Sequence, residues 1–272
     1  MPHFTAPDGA SIYYEDEGTG LPVLCVSGLT RNARDFDFVA PHLAGVRLIR
    51  MDYRGRGQSE YRDPASYAVP VETKDALALL DHLGVGKAAV LGTSRGGMIA
   101  LVMTAMAGDR VLGVAFNDIG PVVEPAGLDA IMDYLGKVPD APDLDALARA
   151  RTMDPAFPGV SAERWRQFLS HTNIETPDGL ALNYDARLRD AVAATFGQPA
   201  PDLWPLFDKL AGKPCAVIRG ANSDLLSAAT VAEMARRHPG LIVAEVPDRG
   251  HIPFLDEPPA LAALQAWLEA LK

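Results

Sequence analysis

The chain has 272 residues, 48% of them hydrophobic and 22% charged, with a formal net charge of −10. That length and composition fit one large α/β domain, or a core domain carrying an insertion. The acidic balance, with no basic cluster beyond pieces such as Arg54-Gly55-Arg56, argues against a nucleic-acid surface, which needs a concentrated basic face.

Cys25 and Cys215 both sit in apolar runs (VLCVSG and PCAVIRG), where thiols behave as small buried hydrophobes. Neither a disulfide nor a metal site is expected. The first residues, MPHFTAPDGASIYYE, show no basic segment followed by an apolar one, and no uninterrupted apolar 18-mer occurs. The expectation is a cytoplasmic protein without a membrane segment.

In chain order, SIYYEDEG (11–18) follows the turn signal Pro7-Asp8-Gly9 and has the β-branched and aromatic bias of a strand. Short apolar runs follow at 22–28, 46–52, 87–92 and 111–118. Their near-continuous apolar character predicts strands buried on both faces, as in a parallel sheet covered by helices. Residues 70–83 open on Pro70 with acids in the first turn, and Ala76, Leu77, Leu80 and Leu83 share a helical face. A second helix is predicted over 95–107. This alternation implies right-handed βαβ crossovers in a doubly wound sheet.

The pattern changes after residue 119. Residues 120–200 show no convincing strand but several amphipathic helices, one with Trp165, Phe168 and Leu169 on a face, another with Leu188, Ala191, Val192 and Thr195. Proline-rich breaks at 139–143 and 154–159 punctuate them. Strand patterns return at 214–220 and 241–247, and a helix closes the chain. The expected organisation is a core over 1–119 and 201–272, interrupted by a helical cap over 120–200.

The stretch AVLGTSRGGM (89–98) carries the chemistry. Gly92-x-Ser94-x-Gly96 falls between an apolar strand and a helix, where small flanking residues permit a sharp turn that lifts a serine hydroxyl from the sheet. The glycines do not have dinucleotide-loop spacing. A serine needs a base. Of six histidines, His251 alone lies just past a strand, after Arg249-Gly250; the others are terminal, helical or in the insertion. The orienting carboxylate is expected at Asp224, in the loop after the preceding strand, with Asp118 as the alternative and a helix-capping role for Asp224 as the competing reading. Asp248 is too near His251 in sequence to reach its ring easily.

The order Ser94, Asp224, His251 resembles that of α/β-hydrolases. The resemblance runs nearly end to end: DG-x-x-I-x-Y-E at 8–15, VSGLTRN after an early strand, DYRGRGQS at 52–59, the serine corner, the cap, and RGH with its apolar tail. Ser27 stands where many relatives carry histidine, and the acid lies four residues after Gly220, one later than a common spacing. The resemblance implies an α/β fold with a mostly parallel sheet of about eight strands and an inserted helical cap. It also implies an oxyanion hole from the Leu29 and Arg95 N–H groups, and hydrolysis of a small ester or lactone with no metal or organic cofactor. C–C bond hydrolysis of a diketone and a slow-turnover ligand receptor are the alternatives. Arg31, Tyr134 and Trp165 are candidate substrate contacts, with cap-to-core packing the favoured reading for most of the cap's apolar side chains, and Arg31 or Arg95 either receives a substrate carboxylate or is simply solvated. The expected partner is a small molecule, bound by a monomer or homodimer.

Overall fold

A computed structural model describes residues 2–194 and 201–272 of the chain. Thr195 and the expected cap boundary at 200 lie outside the described residues.

The core is an eight-stranded sheet in the order β1-β2-β4-β3-β5-β6-β9-β10. Its strands are β1 (His3–Thr5), β2 (Ser11–Gly18), β3 (Leu21–Val26), β4 (Val46–Met51), β5 (Ala88–Thr93), β6 (Val111–Asn117), β9 (Cys215–Gly220) and β10 (Ile242–Val246). Only the β1–β2 and β2–β4 pairings are antiparallel. From β4 to β10 every pairing is parallel.

The strands read as apolar throughout because both faces are covered. Leu24, Val26 and Val90 face the layer of α1 (Val69–His82) and α2 (Arg95–Ala107), packing with Leu79, Leu80, Ile99 and Met103. Their neighbours Val23, Cys25, Ala89 and Leu91 face the other layer, with Phe36 and the Trp267 and Leu264 side chains of α9 (Pro258–Ala270). This period-two division is what a pleated strand imposes. Both thiols are buried, which drives their pKa values upward, to about 12 for Cys215.

Chain order reverses between β3 and β5. From β3 the chain crosses to β4 on one side, and from β5 to β6 on the other. Loops leaving the carboxyl ends of such neighbours diverge and open a crevice, the usual ligand position in doubly wound sheets. Ser94 follows β5, and Gly28 and Leu29 follow β3, so the sheet order puts the candidate residues at this opening.

Between β6 and β9 lie α3 (Pro125–Tyr134), α4 (Leu144–Arg151), α5 (Ala162–Leu169) and α6 (Leu188–Ala193), then α7 (Trp204–Asp208). The expectation of no strand here is corrected by an antiparallel hairpin, β7 (Asn173–Thr176) and β8 (Gly179–Leu182). β7 (NIET) is mostly polar and exposed, and β8 (GLAL) is apolar but only four residues long and half-buried, so neither resembles a core strand. After β9 comes α8 (Ala228–Arg237), capped by the Ser227 hydroxyl on the Thr230 N–H. Capping therefore falls to Ser227 and not Asp224.

Candidate active site

The corner after β5 is built by close backbone approach. A Cβ on Gly92 would lie 2.7 Å from the Gly96 carbonyl carbon, and one on Gly96 would overlap the Val26 carbonyl in β3. Ser94 takes φ +50°, ψ −117°, a conformation that L-residues rarely adopt, and its N–H donates to the Asn117 carbonyl at 3.0 Å. Gly96→Ala is expected to destabilise the fold by about 3 kcal/mol or more, since neither backbone can yield. A melting temperature within a degree or two of wild type would contradict this close approach.

Three side chains meet above the corner. Ser94 Oγ lies 2.8 Å from His251 Nε2, and His251 Nδ1 lies 2.7 Å from Asp118 Oδ2. Asp118 also accepts from the Gly220 N–H at 2.8 Å and the Ser223 hydroxyl at 2.6 Å. Because an ionised carboxylate only accepts, Nδ1 carries the proton and Nε2 is left bare toward the serine. The arrangement can therefore move a proton from hydroxyl to imidazole and hold the resulting cation beside a buried carboxylate.

This corrects the expected carboxylate. Asp224 is exposed, and its neighbour Ser223 turns inward to Asp118 instead. Asp118 reaches the ring because β6 lies next to β5 and because its own φ of +54° turns the chain at the strand end. The late spacing of Asp224 after Gly220 is the sequence signal that points away from it.

Arg95 follows Ser94 at the start of α2, and Leu29 follows Gly28 in the loop after β3. A Cβ on Gly28 would sit 3.8 Å from Ser94 Cβ, so the loop after β3 runs alongside the hydroxyl. Arg95 opens α2, where N–H groups have no partner within the helix. The Arg95 side chain, however, does not face a ligand. Its Nε donates to Glu72 Oε2 at 2.7 Å and its Nη2 to the Tyr67 carbonyl at 2.9 Å.

The other candidates separate. Trp165 is fully buried against Phe157, Phe168 and Phe254, so it is packing and not a pocket wall. Tyr134 is 51% exposed, yet burial pushes its hydroxyl up to about 12, against the opposing pull of Arg31. Its electrostatic neighbours include Arg31, then Arg151 and Tyr184 from the segment between β6 and β9, and Asp224.

Arg31 stacks its guanidinium 3.6 Å over the Phe168 ring and pairs through Nε with Asp35. Its buried Nη2 has no hydrogen-bond partner among the described residues, and its stem lies against Gly28, near Ser94. Nearby His171 is driven down to about 2 by burial and by the Arg31 and Arg34 charges, so its imidazole is neutral. Among the described residues, no group of three or more His, Cys, Asp or Glu could hold a metal ion, and no helix is long and apolar enough to cross a membrane.

Comparison with known proteins agrees with this architecture. Residues 22–258 match the model of the α/β-hydrolase fold family. A 3-hydroxybutyrate-oligomer hydrolase from Cupriavidus necator is 36% identical over 267 residues, 92% of this chain and 89% of that protein. A 2-(acetamidomethylene)succinate hydrolase from Mesorhizobium japonicum is 27% identical, over 87% of this chain and 83% of its own. The crystal structure of an α/β hydrolase from Novosphingobium aromaticivorans superposes with a TM-score of 0.92 at 36% identity, covering 99% of this chain and 97% of that one.

Proposed function

Since the chain belongs to the α/β-hydrolase family, we propose that it is a serine hydrolase cleaving a small carboxylic ester or lactone through an acyl-enzyme on Ser94. The observation that carries this is the hydrogen-bonded line from Ser94 through His251 to Asp118.

In this reading His251 Nε2 takes the Ser94 proton as Oγ attacks the ester carbonyl. The oxyanion forms toward the Leu29 and Arg95 N–H groups, and Asp118 holds the imidazolium. His251 returns the proton to the leaving alkoxide, which departs as an alcohol. Water, deprotonated by the same imidazole, then attacks the acyl-enzyme, frees the acid and restores the serine.

The substrate proposed is an ester bearing a free carboxylate, such as a short hydroxyacid oligomer. Arg31 supports this: its stem lies against Gly28, next to the serine corner, and its guanidinium, paired through Nε with Asp35, keeps a buried Nη2 without a partner among the described residues. The similar 3-hydroxybutyrate-oligomer hydrolase is consistent with such a substrate, and the 2-(acetamidomethylene)succinate hydrolase with a free carboxylate, though its substrate carries an amide and no ester.

The test is a panel of simple esters, lactones and 3-hydroxybutyrate dimer, each hydroxyacid offered as free acid and as methyl ester. Absence of turnover with every ester and lactone, by protein whose Ser94 is reactive, would remove ester hydrolysis. Arg31→Ala is expected to raise KM for the free acids by roughly tenfold to a hundredfold, the value of a charge-assisted hydrogen bond, with little change for the methyl esters. Equal effects on both series would assign Arg31 to packing.

A further inference from the structure

Behind the serine corner lies a chain of buried charges that the proton relay does not use. Arg56 and Glu72 are fully buried, and the Arg95 side chain is 13% exposed. Arg56 Nε donates to the Leu29 carbonyl at 2.9 Å, and its Nη1 lies 2.8 Å from Glu72 Oε1 and 2.7 Å from the Arg54 carbonyl. Glu72 Oε2 accepts from Arg95 Nε at 2.7 Å. The line thus begins on one residue expected to donate an N–H to the oxyanion and ends on the other.

We infer that the Arg56–Glu72–Arg95 chain is a clamp setting the separation of the Leu29 and Arg95 N–H groups, with Glu72 as its central positioning residue. The inference rests on the ester-hydrolase reading of the site. An oxyanion hole works by holding donors in place before charge develops, so donors free to drift lose transition-state stabilisation while ground-state binding changes little. Leu29 sits on a loop and Arg95 at a helix start, each three residues past Val26 and Gly92, where β3 and β5 last pair.

Two further features fit placement better than bulk stability. Buried ionic triads seldom outperform apolar packing of the same volume. This triad also holds two guanidiniums to one carboxylate, next to the point where negative charge would form. Burial would raise the Glu72 pKa, but Arg95 and Arg56 outweigh it and keep the carboxyl ionised. Arg56 lies between the Tyr53 and Tyr67 rings, 5.5 and 5.3 Å from their centroids, which confines it further.

The experiment compares wild type, Glu72→Gln and Arg95→Met. The second variant keeps Arg56 and Glu72 as a balanced pair, so it carries the test should Glu72→Gln fail to fold. Reactive sites are first counted by exhaustive fluorophosphonate labelling. Then kcat and KM for p-nitrophenyl butyrate, the rate constant of phosphonylation, and inhibition by phenylboronic acid are measured per labelled site. Expected are kcat losses of roughly thirtyfold for Glu72→Gln and tenfold for Arg95→Met, with KM within about threefold. Phosphonylation should slow and boronic acid inhibition weaken by similar factors.

Fewer labelled sites with wild-type rates per site would mark the triad as structural and overturn the clamp, as would unchanged rates in Arg95→Met alone. Phosphonylation also places an oxygen in the donor site. It therefore reads the clamp even if wild type hydrolyses no ester, an outcome that would sink the ester reading separately.

Discussion

Asp118→Asn is expected to lower kcat by about ten-thousandfold, whereas Asp224→Asn leaves it within about twofold. The carboxylate of Asp118 accepts from His251 Nδ1, Ser223 Oγ and the Gly220 N–H together. An asparagine has one acceptor oxygen, so at least one of these donors would face an amide N–H₂. If that donor is His251, the imidazole must shift its proton to Nε2, the atom that has to receive the serine proton. If instead Gly220 loses its acceptor, the end of β9 loosens at a cost of about 1–3 kcal/mol. Steady-state kinetics with thermal unfolding separates the two effects, since misplaced protonation costs rate without stability. Collapse of turnover in Asp224→Asn, with Asp118→Asn spared, would reverse the assignment.

The strands of the parallel sheet were legible because burial on both faces leaves an apolar run, and β3, β5, β6 and β9 appear within a residue or two of their patterns. The serine corner was legible because close backbone contact demands glycine at 92 and 96. What escaped depends on strand order. Choosing between Asp118 and Asp224 requires knowing that β6 lies between β5 and β9, which no local pattern encodes. The side chain of Arg95 looked available for a ligand because its partner, Glu72, is 23 residues away on α1 and reads locally as an acid in a helix's first turn. Trp165 looked like pocket lining for a related reason. Amphipathic spacing gives the apolar face of α5 but not what covers it, here Phe157 and Phe254. The β7–β8 hairpin is hidden by its brevity, two four-residue strands of which only β7 is polar, although Pro177-Asp178-Gly179 is a turn signal.

Ser94→Ala should cost about a millionfold in turnover and abolish fluorophosphonate labelling, because no oxygen remains to form the covalent adduct. The pair Ser94→Ala and Ser94→Gly tests the geometry as well as the chemistry. At φ +50° an alanine keeps the strain of the serine, while glycine adopts that conformation freely. Both variants should therefore be inactive, with Ser94→Gly unfolding at the higher temperature by about 1 kcal/mol of added stability. Substrate affinity should survive in Ser94→Ala, since Arg31, the proposed carboxylate contact, is untouched. Equilibrium binding of a free-acid ester to this variant then measures recognition apart from chemistry. Labelling that persisted in Ser94→Ala would place the nucleophile elsewhere. The short contact between Ser94 Oγ and His251 Nε2 would then be packing at a strained turn and not the start of a reaction.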